Sequence, residues 1–408
     1  MQTLLRKPPA RRYFAAWAQS SIGTGAGFVA LLLLAHDTFA SPWAIAVVLL
    51  ADQLPGMTLG PVLGALVDRI PRRTAAIAAD LLGCAAFCGL AIASSFPAVV
   101  ALAVLAGAGS ALGSVASMAG LPEVVEPEDL PAATSLYGVL EEAGIVLGPL
   151  AAAVVLAGAS PAALMLVNGL TFGVSAIVLC TVPFHRRAAE AVPPEETLRA
   201  STRAGLRALR ELPGVRTIVL TSTAAVLAFG LVNVGELLFA DDALGAGGSG
   251  FSLLVAAMSV GMMAGAMAGS RAGTVRTWKR EYLLGLLLMG ISLVLVSGMH
   301  ALLVVLPLLA LCGYGNGIAV VHERLLLQHT VPPALHGRIF GVRRMLVSWA
   351  FCGSYVLAGL IASSAGSRVL LLVAGTGMLV AFACGAVALR RGSPEPGPRA
   401  AASPLTAG

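Results

Sequence analysis

The feature that most constrains this chain is a succession of long apolar runs separated by short, arginine-rich segments. Hydrophobic residues make up 58% of the 408 residues and charged residues only 11%, whereas soluble domains carry about 25% charged residues. A run of about 20 apolar residues is long enough to cross a lipid bilayer as a helix. The composition therefore predicts an all-helical integral membrane protein and excludes an ordinary soluble domain.

The apolar runs, broken by charge, proline or glycine, predict twelve membrane-spanning helices. If the N-terminus is cytoplasmic, every lysine and arginine except Arg368 falls in an inner segment. This asymmetry follows the positive-inside rule and predicts that both termini are cytoplasmic. The net charge of +6 therefore describes a membrane face and not a nucleic-acid surface. The predicted spans are 13–35, 43–66, 74–96, 97–121, 132–157, 161–183, 214–240, 249–270, 282–299, 301–322, 339–363 and 367–389.

A pattern of glycine and proline repeats between the two halves of the chain at a nearly constant offset. One such match carries little information, but three at one offset predict two six-helix bundles in parallel orientation. The matched positions are Gly60/Gly64 with Gly265/Gly269, Gly107/Gly109 with Gly313/Gly315, and Pro122 with Pro332.

A polar stretch between the halves carries arginines three and four residues apart. A basic amphipathic helix on the inner leaflet and a solvated linker helix both account for this spacing. The end of the chain is rich in proline, glycine, serine and alanine, which predicts disorder. The predicted division is a cytoplasmic N-terminal segment at 1–12, a first bundle at 13–183, a cytoplasmic linker at 184–213, a second bundle at 214–389 and a disordered cytoplasmic tail at 390–408.

An arginine-rich turn follows the second predicted span. Gly64, Asp68, Arg69, Arg72 and Arg73 occur there in the pattern G-x-x-x-D-R-x-P-R-R. The stretch resembles the signature loop between helices 2 and 3 of the major facilitator superfamily of transporters, G-x-x-x-D-R-x-G-R-[RK], with a proline where the family usually has glycine. A merely solvated surface turn is the alternative interpretation.

Two further stretches resemble the branch of this superfamily that contains enterobactin exporters and macrolide-efflux proteins. Residues 327–341 are similar to the loop before helix 11 of that branch, and residues 121–125 are the counterpart before helix 5. Gly144, Gly148 and Pro149 are similar to the core of the G-x-x-x-G-P antiporter motif, which is associated with exporters. The fourth predicted span has no arginine, whereas many drug/proton antiporters carry one there, so export is better supported than proton coupling.

The resemblance implies the major facilitator fold, with twelve transmembrane helices in two six-helix bundles, and a transporter rather than an enzyme. It also implies that the Asp68–Arg69 loop forms a gating charge network with the end of the fourth span, where Glu123 lies, and the start of the eleventh. Surface ion pairs, worth only ~0–1 kcal/mol each, are the alternative. We expect no cofactor and no metal, and the six cysteines lie in apolar segments, where packing is their expected role.

Ionisable side chains inside membrane spans are costly and therefore point to function. Glu141 and Glu142 lie roughly 14 Å from the inner end of the fifth span, close to mid-depth. A carboxyl group there could take up a proton on one side and release it on the other. Adjacent side chains on a helix point about 100° apart, so at most one of the two glutamates faces a cavity. Glu142 is favoured, because it precedes Pro149 by about two helical turns and therefore lies on the same helix face. A structural hydrogen bond is the alternative, and Asp52 in the second span is the next candidate.

Three more acidic residues lie nearer to the ends of their predicted spans. Glu236 lies near the outer end of the seventh span, on a substrate path or within reach of water. Asp80 lies near the inner surface, where pairing with Arg72 and Arg73 is favoured over a transport role. Glu323 lies at the inner rim between two basic residues, which favours a structural role.

These observations predict a secondary active transporter that exports a medium-sized amphipathic or hydrophobic compound, such as a drug, siderophore or secondary metabolite. We expect proton antiport, a monomer in the inner membrane of a bacterium, and as partners a small-molecule substrate, the proton gradient and the bilayer, without nucleic acid. No nucleotide-binding motif is present in the sequence. An uptake permease and a non-transporting membrane sensor or scaffold are the alternatives.

Overall fold

The computed structural model describes residues 2–39, 41–184, 206–269, 273–332 and 335–391. All regular secondary structure in these ranges is helical. Residues 185–205 of the predicted linker at 184–213 lie outside the described residues, as do residues 392–408 of the predicted disordered tail at 390–408. Residues 206–211 of the linker form a short helical segment. The main helices are α1 Gln2–Arg6, α2 Pro8–Phe39, α3 Pro42–Thr58, α4 Gly60–Arg69, α5 Arg72–Leu90, α6 Phe96–Val124, α7 Leu130–Leu156, α8 Pro161–Cys180, α9 Pro213–Leu238, α10 Gly247–Gly269, α11 Val275–Ser297, α12 Leu302–Thr330 and α13 His336–Arg391.

Among the described residues, ten helices are long and apolar enough to cross a membrane. This number differs from the twelve predicted spans at two places. The second predicted span is divided at Leu59 into α3 and α4, because Pro61 in the first turn of α4 has no N–H to continue the hydrogen-bond ladder. The last two predicted spans join in α13, which kinks at Gly366. The φ of 82° at Gly366 is a left-handed conformation that favours glycine.

Proline, serine and threonine set the starts of several helices. Proline occupies the first turn of α3, α6, α7, α8 and α9, where its missing N–H leaves no intrahelical bond unmade. Ser160 caps α8 by accepting a hydrogen bond from the Ala163 amide at 3.3 Å. Thr274 caps α11 by accepting one from the Thr277 amide at 3.3 Å. Since α11 begins at this cap, the helix starts before position 282, where the ninth predicted span begins, and the basic residues from 276 to 280 are helical.

Glycines let the helices of the first bundle, α2 to α8, approach closely. Gly107 of α6 faces α3, and a Cβ atom there would overlap the carbonyl oxygen of Asp52. Gly109 faces α5, and a Cβ atom there would lie 3.2 Å from the carbonyl oxygen of Ala79. The α6 backbone is therefore in near contact with two neighbouring helices.

The second bundle, α9 to α13, uses the corresponding glycines in the same way. A Cβ atom on Gly313 of α12 would overlap the carbonyl oxygen of Met258 on α10. A Cβ atom on Gly315 would lie 2.7 Å from the carbonyl oxygen of Gly285 on α11. The glycine pattern that repeats in the sequence thus marks equivalent helix contacts in the two bundles.

The two ends of the molecule differ in charge. We call the end that carries Lys7, Arg72 and Arg343 the basic end, and the other the opposite end. Arg368 lies at the opposite end, where its guanidinium donates to the carbonyl oxygens of Ser297 at 2.9 Å and Met299 at 2.8 Å. This single exception to the basic asymmetry therefore ties together the connections between helices of the second bundle.

The bundles meet along two helix pairs, α3 against α13 and α7 against α10. At the opposite end His36 of α2 bonds to Asp241, which follows α9, across the bundle interface at 3.1 Å. One buried apolar cluster contains residues of both bundles, whereas a second cluster, toward the basic end, belongs to the first bundle alone. The link between His36 and Asp241 therefore joins the two bundles at the opposite end.

Candidate functional site

Two cavities lie at the centre of the molecule. The larger, of about 460 Å³, is enclosed by helices of the first bundle and extends toward the basic end. The smaller, of about 170 Å³, lies between the bundles, lined by α2 and α7 on one side and by α9, α10 and α12 on the other. Phe28, Ile145 and Pro149 line both cavities, so the two are neighbouring chambers of one central space.

The larger cavity is rich in hydroxyl groups. Ser110, Ser114 and Ser117 form a polar stripe along α6, and Ser20 and Thr24 do so on α2. Their spacing of three and four residues places each set on one helix face. The stripes could have been recognised in the sequence as serines recurring at helical period within apolar spans. Such a surface suits a ligand with hydrogen-bonding groups.

One wall of the larger cavity combines an aromatic and an acidic group. The Trp17 ring stacks on Tyr137 with 4.4 Å between centroids. Trp17 and Asp80 both line this cavity. Among the described residues, the indole Nε1 of Trp17 and the Oδ2 of Asp80 are buried without a hydrogen-bond partner.

The favoured pairing of Asp80 with Arg72 and Arg73 is not what the structure contains. Arg72 bonds to Glu123 at 2.9 Å, and Arg73 donates to the carbonyl oxygen of Cys180. Both arginines lie in the first turn of α5, and Asp80 lies about 12 Å further along the helix axis. The arginines have nearer acceptors on α6 and α8, so Asp80 lines the cavity instead.

Glu236 belongs to the smaller cavity. Its side chain is only 3% exposed, and its Oε1 is buried without a hydrogen-bond partner. The alternative that Glu236 reaches water is therefore wrong, because Phe239 and Ala240, which begin the π-helical turn Phe239–Ala243 after it, are also buried. Asp241 and Asp242, later in this turn, are exposed.

The other candidate carboxylates lie in different places relative to the cavities. Glu141 lines the larger cavity, whereas the side chain of Glu142, which the spacing from Pro149 favours, lies outside the described part of the chain. Asp52 lies on α3, where the Gln53 amide donates to it at 3.3 Å, and the described lining of both cavities lacks it. Among the described lining residues three are acidic (Asp80, Glu141 and Glu236) and none is basic.

The antiporter-like stretch of α7 lies at the closest approach of two helices. A Cβ atom on Gly144 would lie 2.6 Å from the carbonyl oxygen of Ser21 on α2, and one on Gly148 would lie 2.5 Å from the Cα atom of Gly25. Both glycines therefore allow direct backbone contact between α2 and α7. Pro149, the next residue, lines both cavities.

The residues of the gating motif lie at the basic end. Gly64, Asp68 and Arg69 are in α4, and the side chain of Asp68 lies outside the described part of the chain. Arg72 joins the start of α5 to the end of α6 through Glu123, which is largely buried. This bond brings together two of the elements that the resemblance connects.

Two further basic residues form ion pairs at this end. Lys7 bonds to Glu126 at 2.7 Å and to Asp129 at 2.9 Å, and these hydrogen bonds raise the pKa of Lys7. In the second bundle Arg343 binds both carboxylate oxygens of Glu323 at 2.6 Å. This bidentate geometry is consistent with the structural role expected for Glu323. The sequence predicts neither pairing, because the partners are distant along the chain or separated by a helix end.

Comparison with known proteins agrees with the geometry. The family model described as Major Facilitator Superfamily matches residues 13–354. Over 368 residues, 87% of each chain, the protein is 25% identical to the uncharacterised MFS-type transporter YfiS of Bacillus subtilis. Over 372 residues, 88% of this chain and 90% of the other, it is 26% identical to the multidrug efflux pump Tap of Mycolicibacterium fortuitum.

Solved transporters share the fold. The nucleoside transporter NupG superposes with a TM-score of 0.73 over 94% of this chain and 100% of its own, at 10% identity. A bacterial homologue of the human lysosomal transporter Spinster superposes with a TM-score of 0.72 over 94% of this chain and 98% of its own, at 13% identity.

Proposed function

Because the chain belongs to the Major Facilitator Superfamily, we propose that it is a secondary active transporter that exports a medium-sized amphipathic or hydrophobic compound from a bacterial cell. The observation that carries the proposal is the central space formed by two cavities, a smaller one between the bundles and a larger one in the first bundle that extends toward the basic end. Export begins with loading from the cytoplasm, and the basic end is the cytoplasmic end by the positive-inside rule.

The proposed topology has twelve crossings with both termini in the cytoplasm of a cell bounded by the inner membrane. The pair α3 and α4 makes one crossing, and the two arms of α13, on either side of Gly366, make two. The proposed domains are the first bundle at 13–183 and the second at 214–389, with the linker, the N-terminal segment and the tail on the cytoplasmic side. We propose that the unit is a monomer.

Two observations support export of an apolar compound. Tap, whose length this chain largely covers, is described as a multidrug efflux pump, and the smaller cavity is lined mostly by phenylalanine, methionine and aliphatic side chains. An apolar pocket with a few polar groups is the usual form of a small-molecule site. We therefore propose drugs, siderophores and secondary metabolites as the substrate classes.

The gating role of the Asp68 motif remains a prediction. Replacing Asp68 by asparagine removes the negative charge and leaves the size unchanged, so folding should be preserved while the two-state equilibrium shifts. We expect transport to fall at least about tenfold at equal membrane abundance, a change in barrier of about 1.4 kcal/mol. Asp242→Asn, an exposed acid at the opposite end, is the matched control and should transport like the parent. Equal transport by the Asp68 and Asp242 variants would contradict the gating role.

Proton antiport is the proposed energy source, with Glu141 or Glu142 as the proton carrier. Burial of a carboxyl group disfavours its charged form, so such a group can exchange protons as access alternates. Replacing the carrier by glutamine should leave binding in place and abolish the response of efflux to an imposed proton gradient. Efflux is measured with and without the gradient for both glutamine variants. If both still respond, the carrier is not in α7, and Asp52 is tested next.

A further inference from the structure

We propose that the smaller cavity binds the positively charged head of an amphipathic amine, with the carboxylate of Glu236 as its anionic anchor. The inference rests on the proposed transport function and names a substrate class for it. Glu236 projects from α9 into a space that is bounded by helices of both bundles. A charge recognised there is held at the interface that must rearrange during transport.

Among the described residues, Glu236 has no partner of opposite charge. The residue is 3% exposed, and none of the described residues makes a hydrogen bond to its Oε1. An isolated carboxylate in an apolar interior is costly, and buried charges in proteins are normally paired. Since no described residue that lines the cavity is basic, a positively charged ligand supplies the missing partner.

The walls around Glu236 suit an organic ammonium group. Phe28, Phe229 and Phe251 line the cavity with Met258 and Met262. Aromatic faces attract ammonium groups, and thioether sulfur is polarisable and adapts to varied shapes. A hard metal ion needs a shell of oxygen ligands, and no cluster of three or more His, Cys, Asp or Glu residues that could hold a metal occurs in the described ranges.

Two amide side chains complete the site. Asn316 directs its Nδ2 to the sulfur of Met262 at 3.6 Å, and Asn233 directs its Nδ2 to the Tyr355 hydroxyl at 3.5 Å. Both asparagines line the cavity, and an amide oxygen can accept a hydrogen bond from an ammonium N–H. The site therefore offers one full negative charge and neutral acceptors, which matches a single protonated amine.

The volumes of the two cavities indicate the sizes of the two parts of the ligand. At about 170 Å³ the smaller cavity holds an ammonium head with a short alkyl chain. The adjoining cavity of about 460 Å³, with its Trp17 indole and serine stripes, holds a larger aromatic body. An anionic body would meet the carboxyl group of Asp80, so the cavity selects against anions.

Binding of a matched pair of probes tests the inference. Dansylcadaverine carries an aromatic body and a primary amine, and its N-acetyl derivative has the same body without the charge. With the purified full-length protein we expect the amine to bind at least about tenfold more tightly than the derivative, a difference of about 1.4 kcal/mol. Glu236→Gln should reduce this preference to less than about twofold, and Glu236→Asp, which keeps the charge, should retain part of it.

Asp242→Asn controls for the general effect of removing a negative charge, because Asp242 follows Glu236 closely in the chain but is exposed. Its preference for the amine should equal that of the parent. Equal binding of both probes by the parent, or an unchanged preference in Glu236→Gln, would overturn the inference. If Glu236→Gln does not fold, the parent and Glu236→Asp decide the question.

Flux of the neutral derivative separates this inference from the proposed function. Transport of that derivative without any preference for the amine leaves the transport function in place and refutes the amine site. A Glu236-dependent preference for the amine without flux of either probe supports the site and contradicts the transport function.

Discussion

Replacing Gly148 by leucine is expected to eliminate the folded transporter from the membrane. A Cβ atom at this position would lie 2.5 Å from the Cα atom of Gly25 and 2.7 Å from the amide nitrogen of Ala26. These are backbone atoms, so α2 and α7 must separate to admit a side chain. Overpacking alone typically costs about 1–3 kcal/mol, and we expect a larger loss because a whole helix contact is displaced. The measurement is the yield of monodisperse protein and its thermal midpoint.

Gly138→Leu is the matched control, because Gly138 lies on the same helix and a Cβ atom there would have no atom within 4 Å. This variant should purify and melt like the parent. Equal behaviour of the two leucine variants would contradict the close contact between α2 and α7 and would leave the antiporter-like motif without its packing role.

Cross-linking the opposite end is expected to stop transport reversibly. The Nε2 of His36 and the Oδ2 of Asp241 are 3.1 Å apart and belong to different bundles. If that end must open to release substrate, a covalent bridge between these positions holds the protein in one state. We expect the double variant His36→Cys with Asp241→Cys, treated with a short bis-methanethiosulfonate reagent, to lose at least about tenfold in transport rate. A reductant should restore it.

The two variants with one substitution each, His36→Cys and Asp241→Cys, are treated with the same reagent. They control for modification of the native cysteines and of each new thiol. They should transport like the untreated protein. If the cross-linked double variant transports at the rate of the single variants, α2 and the end of α9 do not separate during transport, and alternating access at this end is contradicted.

The sequence locates the helices well because a membrane span needs both length and apolarity, and both can be read from a sequence. The role of the repeated glycines can also be predicted from the sequence. Gly107 and Gly313 make equivalent contacts, because a Cβ atom at either position would overlap a carbonyl oxygen of the neighbouring helix. The break at Leu59 is harder to predict, because a proline inside a membrane helix is often tolerated.

The candidate site is less predictable because it depends on which helices are neighbours. Proximity along α5 favours pairing of Asp80 with Arg72, but Glu123 on another helix is the nearer partner. Hydropathy ends the seventh span near Glu236, whereas the residues that directly follow it, as far as Ala240, are buried and keep the carboxyl group inside. The link between His36 and Asp241 joins residues from two halves of the chain, and one sequence gives no signal for it.

Flux measured with a compound that the purified protein binds tests the central claim most directly. The protein is reconstituted into liposomes, the bound compound is supplied outside, and its entry is followed with the interior made acidic and again after the gradient is collapsed. An antiporter working by alternating access should accumulate the compound above its external concentration and lose it when the gradient is removed. Binding without net flux under either condition would contradict a transporter and favour a membrane sensor or scaffold.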